Sequence, residues 1–168
     1  MAEDDVLGLF KELFGEPKGS QREASAGALL ERFRIPGYEV LGLLGKGGMG
    51  VVLKARQTSL DRMVALKLMS AELSRDPEYV QRFLLEARTA GRLRHLNIVS
   101  ALDCGVVKES RFMVMEMVEG HSLDQVLKER GMLDERVALG IIKQVAEGLE
   151  YAWKHGIIHR DIKPQNIM

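Results

Sequence analysis

The sequence predicts an α+β fold, with a five-stranded antiparallel sheet and one helix first and a mostly helical part after it. Three observations carry that reading. Between Tyr38 and Val118, short apolar runs are separated by glycine-rich or polar turns, and one stretch of helical periodicity, from Pro77 to Ala90, interrupts them. From Ser122 to Gly156 the periodicity is helical throughout. Then comes His159-Arg160-Asp161-Ile162-Lys163-Pro164-Gln165-Asn166, a polar pattern H-R-D-x-K-P-x-N. Its six fixed positions would arise by chance in a chain of this length about once in a few hundred thousand.

Composition narrows the class before any motif is used. The 168 residues are 46% hydrophobic, enough to bury one core or part of a larger one. Twenty-four basic residues balance twenty-four acidic ones, so no global field draws the chain to nucleic acid or an anionic membrane. A single cysteine, Cys104, excludes an internal disulfide and a cysteine metal cluster, and its apolar setting predicts a buried thiol. No apolar run reaches the roughly twenty residues of a membrane span, and the acidic start Met1-Ala2-Glu3-Asp4-Asp5 is unlike a signal peptide. A cytoplasmic protein is expected.

Residues 1–36 read as a leader. Val6, Leu9, Phe10, Leu13 and Phe14 fall at helical spacing, Gly15 to Ser20 reads as linker, and Ala24 to Phe33 can form another short helix. So short a helix is marginal alone and orders only against a groove. The boundary is placed near Pro36, giving a sheet domain over 37–118 and a helical part over 119–168.

Tyr38 to Leu44 predicts a first strand and Val51 to Ala55 a second, joined by Gly45-Lys46-Gly47-Gly48-Met49-Gly50. This G-x-G-x-x-G stands between two strands rather than between a strand and a helix, which argues against a dinucleotide-binding fold. A turn at Ser59-Leu60-Asp61 leads to the strand Met63 to Met69, which sets Lys67 in apolar surroundings where it needs an anionic partner. Asp76-Pro77 starts a helix whose apolar face is Val80, Phe83, Leu84, Ala87 and Ala90. Glu86, at the edge of that face, either reaches Lys67 or pairs with Arg82 on the surface. Ile98 to Val107 and Arg111 to Val118 predict the last two strands, around Lys108-Glu109-Ser110. Ser122 and Asp134 are helix caps, Gly131 ends the first of the later helices, and Val137, Ile141, Val145 and Leu149 mark an apolar stripe on the second. Trp153 is expected to pack and His155 to be exposed.

Taken in order, the glycine motif extended to Val52, Met63-Val64-Ala65-Leu66-Lys67, Glu86, His95-Leu96-Asn97-Ile98-Val99 and the H-R-D-x-K-P-x-N loop resemble the catalytic domain of eukaryotic-type serine/threonine protein kinases in their bacterial form. Leu96 departs from the proline of the family's H-P-N-I-V. The resemblance implies a two-lobe, protein-kinase-like fold whose small lobe is the sheet with its regulatory helix. It further implies that Gly45, Lys46, Gly47, Gly48, Met49, Gly50 and Val52 cover the phosphates of ATP. Ala65 and Met115 would line the adenine site, and the backbone of Glu116 and Val118 would meet the adenine edge. Lys67, held by Glu86, would contact the inner phosphates. Asp161 would act as base toward a protein serine or threonine hydroxyl, Lys163 would meet the moving phosphate, and Asn166 would hold magnesium. Arg160 resembles the arginine that grips a phosphorylated activation loop.

The sequence contains no D-F-G and no A-P-E, which the family places after the asparagine. The chain therefore reads as a kinase domain cut short, expected to be silent in transfer and to self-associate through the apolar stripe of its last helix. A nucleotide-binding, pseudokinase-like interaction module and an inactive fragment stand as alternatives.

Overall fold

The computed structural model describes residues 35–47 and 50–168. Among them, five strands form one antiparallel sheet in the order β1-β2-β3-β5-β4: β1 (Tyr38–Gly47), β2 (Gly50–Gln57), β3 (Arg62–Met69), β4 (Ala101–Val107) and β5 (Ser110–Glu116). Three α-helices accompany them, α1 (Pro77–Arg92), α2 (Leu123–Arg130) and α3 (Glu135–Lys154). The described residues group into two compact units, one holding 35–88 and 101–117, the other 89–100 and 118–168. The leader stretches Val6 to Phe14 and Ala24 to Phe33 lie outside the described residues, as do Gly48 and Met49.

In the first unit the period-2 alternation of strands sorts side chains to two faces. Val51, Leu53 and Ala55 of β2, Val64, Leu66 and Leu68 of β3, and Phe112 and Val114 of β5 form one buried cluster. Met69 and Met113 point to the other face, where Phe83 and Ala87 of α1 cover them. Strand β3 is thus apolar on both faces, the reason its sequence is an almost continuous apolar run. Phe83 is only 1% exposed, and burying such a side chain is worth about 1.5–3 kcal/mol, which fastens α1 to the sheet. The helix starts where Asp76 Oδ1 accepts a hydrogen bond from Glu78 N at 2.9 Å, with Pro77 in the first helical position.

The sheet is strongly curled. Gly105 on β4 has no side chain, and a Cβ there would sit 2.7 Å from the Phe112 ring, so the ring lies over the β4 backbone. Tyr38 meets Phe112 edge to face at 6.0 Å and donates its hydroxyl to Asp103 Oδ2 at 2.9 Å. Since β1 and β4 are opposite edges of the sheet, this hydrogen bond joins the two edges at one end. Burial, and then the Asp103 carboxylate, push the Tyr38 phenol up to about 12.

Several boundaries differ from the sequence reading. Strand β1 does not stop at Leu44 but runs through the glycines, with Gly45 opposite Val52, Lys46 opposite Val51 and Gly47 opposite Gly50. Extended glycine pairs through its backbone like any residue, and register shifts at Val40/Gly42 and Leu43/Gly45 absorb the irregularity. Strand β4 begins at Ala101 rather than Ile98, because His95 and Ile98 bridge each other in a turn of their own. Strand β5 ends at Glu116, short of Val118, and Ser110 belongs to the strand rather than the turn. Cys104 is exposed, not buried: β4 is an edge strand, and among the described residues no strand pairs with its outer flank.

The second unit is organised by caps and one close approach. Ser122 and Gln125 form a reciprocal capping box at the start of α2, and Gly131 closes the helix at a φ of 76°. Asp134 Oδ1 accepts from Arg136 N at 2.9 Å to start α3. The 95–98 turn rests on α3 at Gly148, where an added Cβ would lie 3.0 Å from Asn97 O. Asn97 Nδ2 also donates to Gln144 Oε1 at 3.2 Å, and the His95 ring packs on Tyr151.

This docking corrects the expected stripe. Ile141, Val145 and Leu149 are half-buried beside Gly148 and Ala152, while Val137, Leu139, Ile142 and Trp153 stand open. Val137 of the expected stripe is thus open, the other open apolar residues, Leu139, Ile142 and Trp153, lie on a neighbouring side of α3, and Trp153, 68% exposed, does not pack. His155 is exposed, with Nδ1 beside Tyr151 O at 2.8 Å. No helix among the described residues is long and apolar enough to cross a membrane.

Candidate functional site

In the first unit the strand register lays the sequence-predicted residues in rows across one face. Gly45, Val52, Lys67 and Met113 are successive partners from β1 to β5, and Lys54, Ala65 and Met115 form the next row. The part of this face beneath α1 is filled by Met69, Phe83, Ala87 and Met113. Val52 is half-buried and Ala65 is 8% exposed, and neither belongs to that cluster or to the one on the opposite face. Met115 packs only at the cluster's margin, and Glu116, opposite Val64, is the last residue of its strand.

Lys67 Nζ donates to Glu86 Oε1 at 2.7 Å and to Oε2 at 3.0 Å. The alternative pairing does not form, since Arg82 takes Glu78, one helical turn before it, and stands over the Tyr79 ring. Helical geometry explains the division. Glu86 sits three residues past Phe83 and so flanks the buried face, whereas Arg82 and Glu78 share a solvent-facing row. The ion pair is partly exposed, with Lys67 the more covered partner. Its ammonium and carboxylate remain open to a further anion or cation.

The glycines divide by what demands them. Gly50 adopts a φ of +141°, and a Cβ there would lie 2.1 Å from Leu68 O, so packing against β3 forbids any side chain. Nothing lies within 4 Å of where a Gly45 Cβ would be. The fold leaves Gly45 free, and only something outside the chain would need the space. Lys46 is exposed, and Gly48 and Met49 are outside the described residues.

In the second unit Asp161, Lys163 and Asn166 converge. Lys163 Nζ lies 2.8 Å from Asp161 Oδ2, and Asn166 Nδ2 donates to Asp161 O at 2.8 Å and to Oδ2 at 3.2 Å. The Lys163 ammonium, ahead of the Asn166 amide, holds the Asp161 carboxyl below its ordinary range, so it is a carboxylate at neutral pH. Arg160 has a φ of 64°, a left-handed conformation rarely adopted by a residue with a side chain, and Asp161 N donates to His159 Nδ1 at 3.2 Å across it. The short 3₁₀ turn Pro164–Asn166 brings Asn166 back toward Asp161. The loop is tied down by Leu123 N donating to Ile167 O at 2.8 Å and Gln165 Nε2 donating to Asp124 Oδ1 at 2.7 Å. Val118 is half-buried and is the first residue of this unit's second segment.

Sequence reasoning did not find the left-handed Arg160, the His159 ring as acceptor, or the Gln165–Asp124 anchor. Each depends on backbone direction or on a partner 41 residues away, as Gln165 and Asp124 are, and carries no local signature.

Among the described residues no cluster of three or more His, Cys, Asp or Glu could hold a metal by itself. Asn166 offers an amide oxygen that accepts no hydrogen bond among the described residues, beside the Asp161 carboxylate. Such a pair of oxygens fits a hard cation that keeps waters and shares phosphate ligands, as magnesium does.

The protein kinase domain family matches residues 38–168. The chain is 47% identical over 131 residues to the serine/threonine-protein kinase PknH of Mycobacterium tuberculosis, covering 78% of this chain and 21% of that protein. It is 40% identical over 136 residues to the serine/threonine-protein kinase PrkC of Bacillus subtilis, covering 80% of this chain and 21% of the relative. Among solved structures, the PknI kinase domain of Mycobacterium tuberculosis superposes with a TM-score of 0.70 at 32% identity, covering 79% of this chain and 54% of that one. The chain thus spans about a fifth of the length of the curated relatives it matches. With its family match over more than three quarters of its length and relatives that are bacterial serine/threonine kinases, the chain belongs to the protein kinase family.

Proposed function

We propose that this protein binds magnesium-ATP and transfers the γ-phosphoryl group to a serine or threonine hydroxyl of a protein substrate. The observation that carries this reading is the Lys67–Glu86 ion pair at 2.7 Å, set on a sheet face where Gly45 leaves space that the fold itself does not use. A lysine fixed by a carboxylate is oriented rather than mobile, and its remaining donors suit the inner phosphates of a nucleotide. Val52, Ala65 and Met115 supply an apolar surface for a base, and Glu116 and Val118 supply backbone groups for its edge.

In the loop of the second unit, Asp161 accepts the hydrogen bond of the attacking hydroxyl and orients its lone pair. Because Lys163 keeps its pKa low, Asp161 takes the proton late, once the oxygen has turned acidic through bonding to phosphorus. Lys163 meets the charge on the moving phosphoryl group, and Asn166 is the chain's own oxygen ligand for magnesium. Magnesium, when bound, neutralises phosphate charge in such sites. The remaining effect is positioning. Serine/threonine rather than tyrosine specificity is supported by Lys163 in the loop and by the relatives' names.

The test is calorimetric titration of the chain with ATP at millimolar magnesium, beside phosphate transfer to a serine-containing substrate protein by a form extended through D-F-G and A-P-E. Lys67→Met is expected to weaken binding at least tenfold, and Asp161→Asn to spare binding while removing transfer. Absence of binding, or binding indifferent to Lys67→Met, refutes the nucleotide assignment. Transfer that survives Asp161→Asn refutes the catalytic one.

A further inference from the structure

Strand β5 meets the α1 region at two points. Side chains two residues apart share a strand face, so Arg111 lies on the same face of β5 as Met113. Met113 is buried in the apolar cluster with Phe83 and Ala87 of α1. Half-buried Arg111 reaches the segment that leads into α1, where its Nη1 donates to Ser74 O at 3.2 Å. All of these residues belong to the first unit.

The other contacts of the lead-in, Ser70 to Asp76, hold it less firmly. Leu73 and Val80 are only partly buried, at the margin of the apolar cluster. Arg75 pairs with Glu109 at 2.6 Å, but both side chains are largely exposed, and such pairs are screened by water and salt. Leu73 N donates to Ser70 Oγ at 3.3 Å and Ser74 N to Ser70 O at 3.0 Å, which shapes the turn without tying it to β5. Ser74 is 8% exposed, and its buried hydroxyl has no hydrogen-bond partner among the described residues. An unpaired buried hydroxyl opposes the conformation that buries it. The Ser74 carbonyl, by contrast, is held by a charged donor, the stronger kind of hydrogen bond.

A helix fastened only at its buried cluster can pivot there. At 1.5 Å per residue, Phe83 stands about 9 Å along the axis from Pro77 and about 4.5 Å from Glu86. A swing of about 1 Å at the entry, taken about Phe83, therefore moves Glu86 by about 0.5 Å. The Lys67–Glu86 contacts of 2.7 and 3.0 Å would stretch toward the limit of a hydrogen bond. A shift at Ser74 passes into the helix because the junction is stiff: Pro77 fixes its own φ, and Asp76 Oδ1 accepts from Glu78 N at 2.9 Å.

We infer that Arg111 is a positioning residue for the nucleotide site. By holding Ser74 O it fixes the entry of α1 and sets Glu86 at the distance that orients Lys67. The consequence for nucleotide binding rests on the proposed role of Lys67 toward phosphate, whereas the effect on the ion pair is read without nucleotide.

The experiment follows the Lys67 ammonium by proton–nitrogen-15 NMR on the 168-residue chain without nucleotide. Glu86→Gln marks the signal of the broken pair, and circular dichroism melting checks the fold. Arg111→Met keeps an apolar stem and loses the donor, and is expected to move the Lys67 signal most of the way to its Glu86→Gln position. Arg111→Gln, with a shorter neutral donor, should move it part of the way and serves in its place if Arg111→Met does not fold. Arg111→Lys retains a charged donor and should restore the parent signal. Arg75→Ala should leave the signal unmoved, as should Ser74→Ala, which deletes the unpaired hydroxyl, keeps the carbonyl and is expected to raise the melting temperature. In calorimetric titration with magnesium-ATP, Arg111→Met should weaken binding at least about threefold in the parent and leave it unchanged in Lys67→Met, where no oriented lysine remains to be lost. A Lys67 signal indifferent to Arg111→Met and Arg111→Gln, a signal that Arg111→Lys fails to restore, or full additivity of Arg111→Met with Lys67→Met overturns the inference. A parent chain that binds no magnesium-ATP refutes the proposed function, and the NMR comparison then decides the role of Arg111 by itself.

Discussion

Replacing Gly50 with alanine separates the structural glycine of the motif from the one the fold leaves free. The new Cβ would sit 2.1 Å from Leu68 O and 3.0 Å from Ser70 N, on a backbone with a φ of +141°. Holding a residue with a side chain in that conformation costs about 1–3 kcal/mol. Relieving the contact requires β2 and β3 to separate by about 1 Å at the pairs Gly50–Met69 and Val51–Leu68, which loosens ladder hydrogen bonds worth about 0.5–1.5 kcal/mol each. The sum is about 3 kcal/mol, a large part of the 5–15 kcal/mol by which small domains are stable. In a chain of this size that lowers the melting temperature by about 6–12 °C. Gly45→Ala meets nothing within 4 Å and is expected to melt within about 2 °C of the parent, while weakening magnesium-ATP binding. The assay is thermal unfolding by circular dichroism on both variants, followed by calorimetric titration. If Gly50→Ala melts with the parent, or Gly45→Ala is the less stable of the two, the division of roles is wrong.

Other perturbations test the remaining features. Tyr38→Phe should remove the tyrosine ionisation near pH 12 followed by ultraviolet absorbance. Because the folded state raises this pKa above its ordinary value of 10.0, the hydrogen bond to Asp103 contributes fully below pH 10 and is lost as pH rises toward about 12. A parent chain with no tyrosine ionisation near pH 12 would contradict it. Lys163→Met should raise the Asp161 carboxyl toward its usual 3.8, read by carbon-13 chemical shift against pH. The depressed pKa means that the pair's contribution is present above pH 3.8 and fades as pH falls, and an Asp161 titration unmoved by the change would refute the pairing. Gly148→Leu should lift the 95–98 turn from α3 through its contact with Asn97 O, exposing the amide of Ile98 to faster hydrogen exchange, and unchanged exchange there would count against that docking.

The sequence by itself determined the sheet-plus-helix architecture, the caps at Ser122 and Asp134, and the family, because these follow from local periodicity, hydrogen bonds between near neighbours, and motifs fixed in order. It also pointed to Lys67 as a cation in need of a partner, but left Glu86 open to pair with either Lys67 or Arg82. Only the packing of Phe83 on Met113 turned Glu86 toward Lys67. Which glycine the fold requires was equally hidden, since Gly45 and Gly50 look alike in one dimension and differ only in how closely β3 approaches. The open side of α3 was misplaced because periodicity gives the spacing of an apolar stripe but not the element that covers it, here the turn at Asn97 and Ile98 seated on Gly148. Cys104 was read as buried for the same reason: an apolar run places a residue in a strand, and only strand order shows that the strand is an edge.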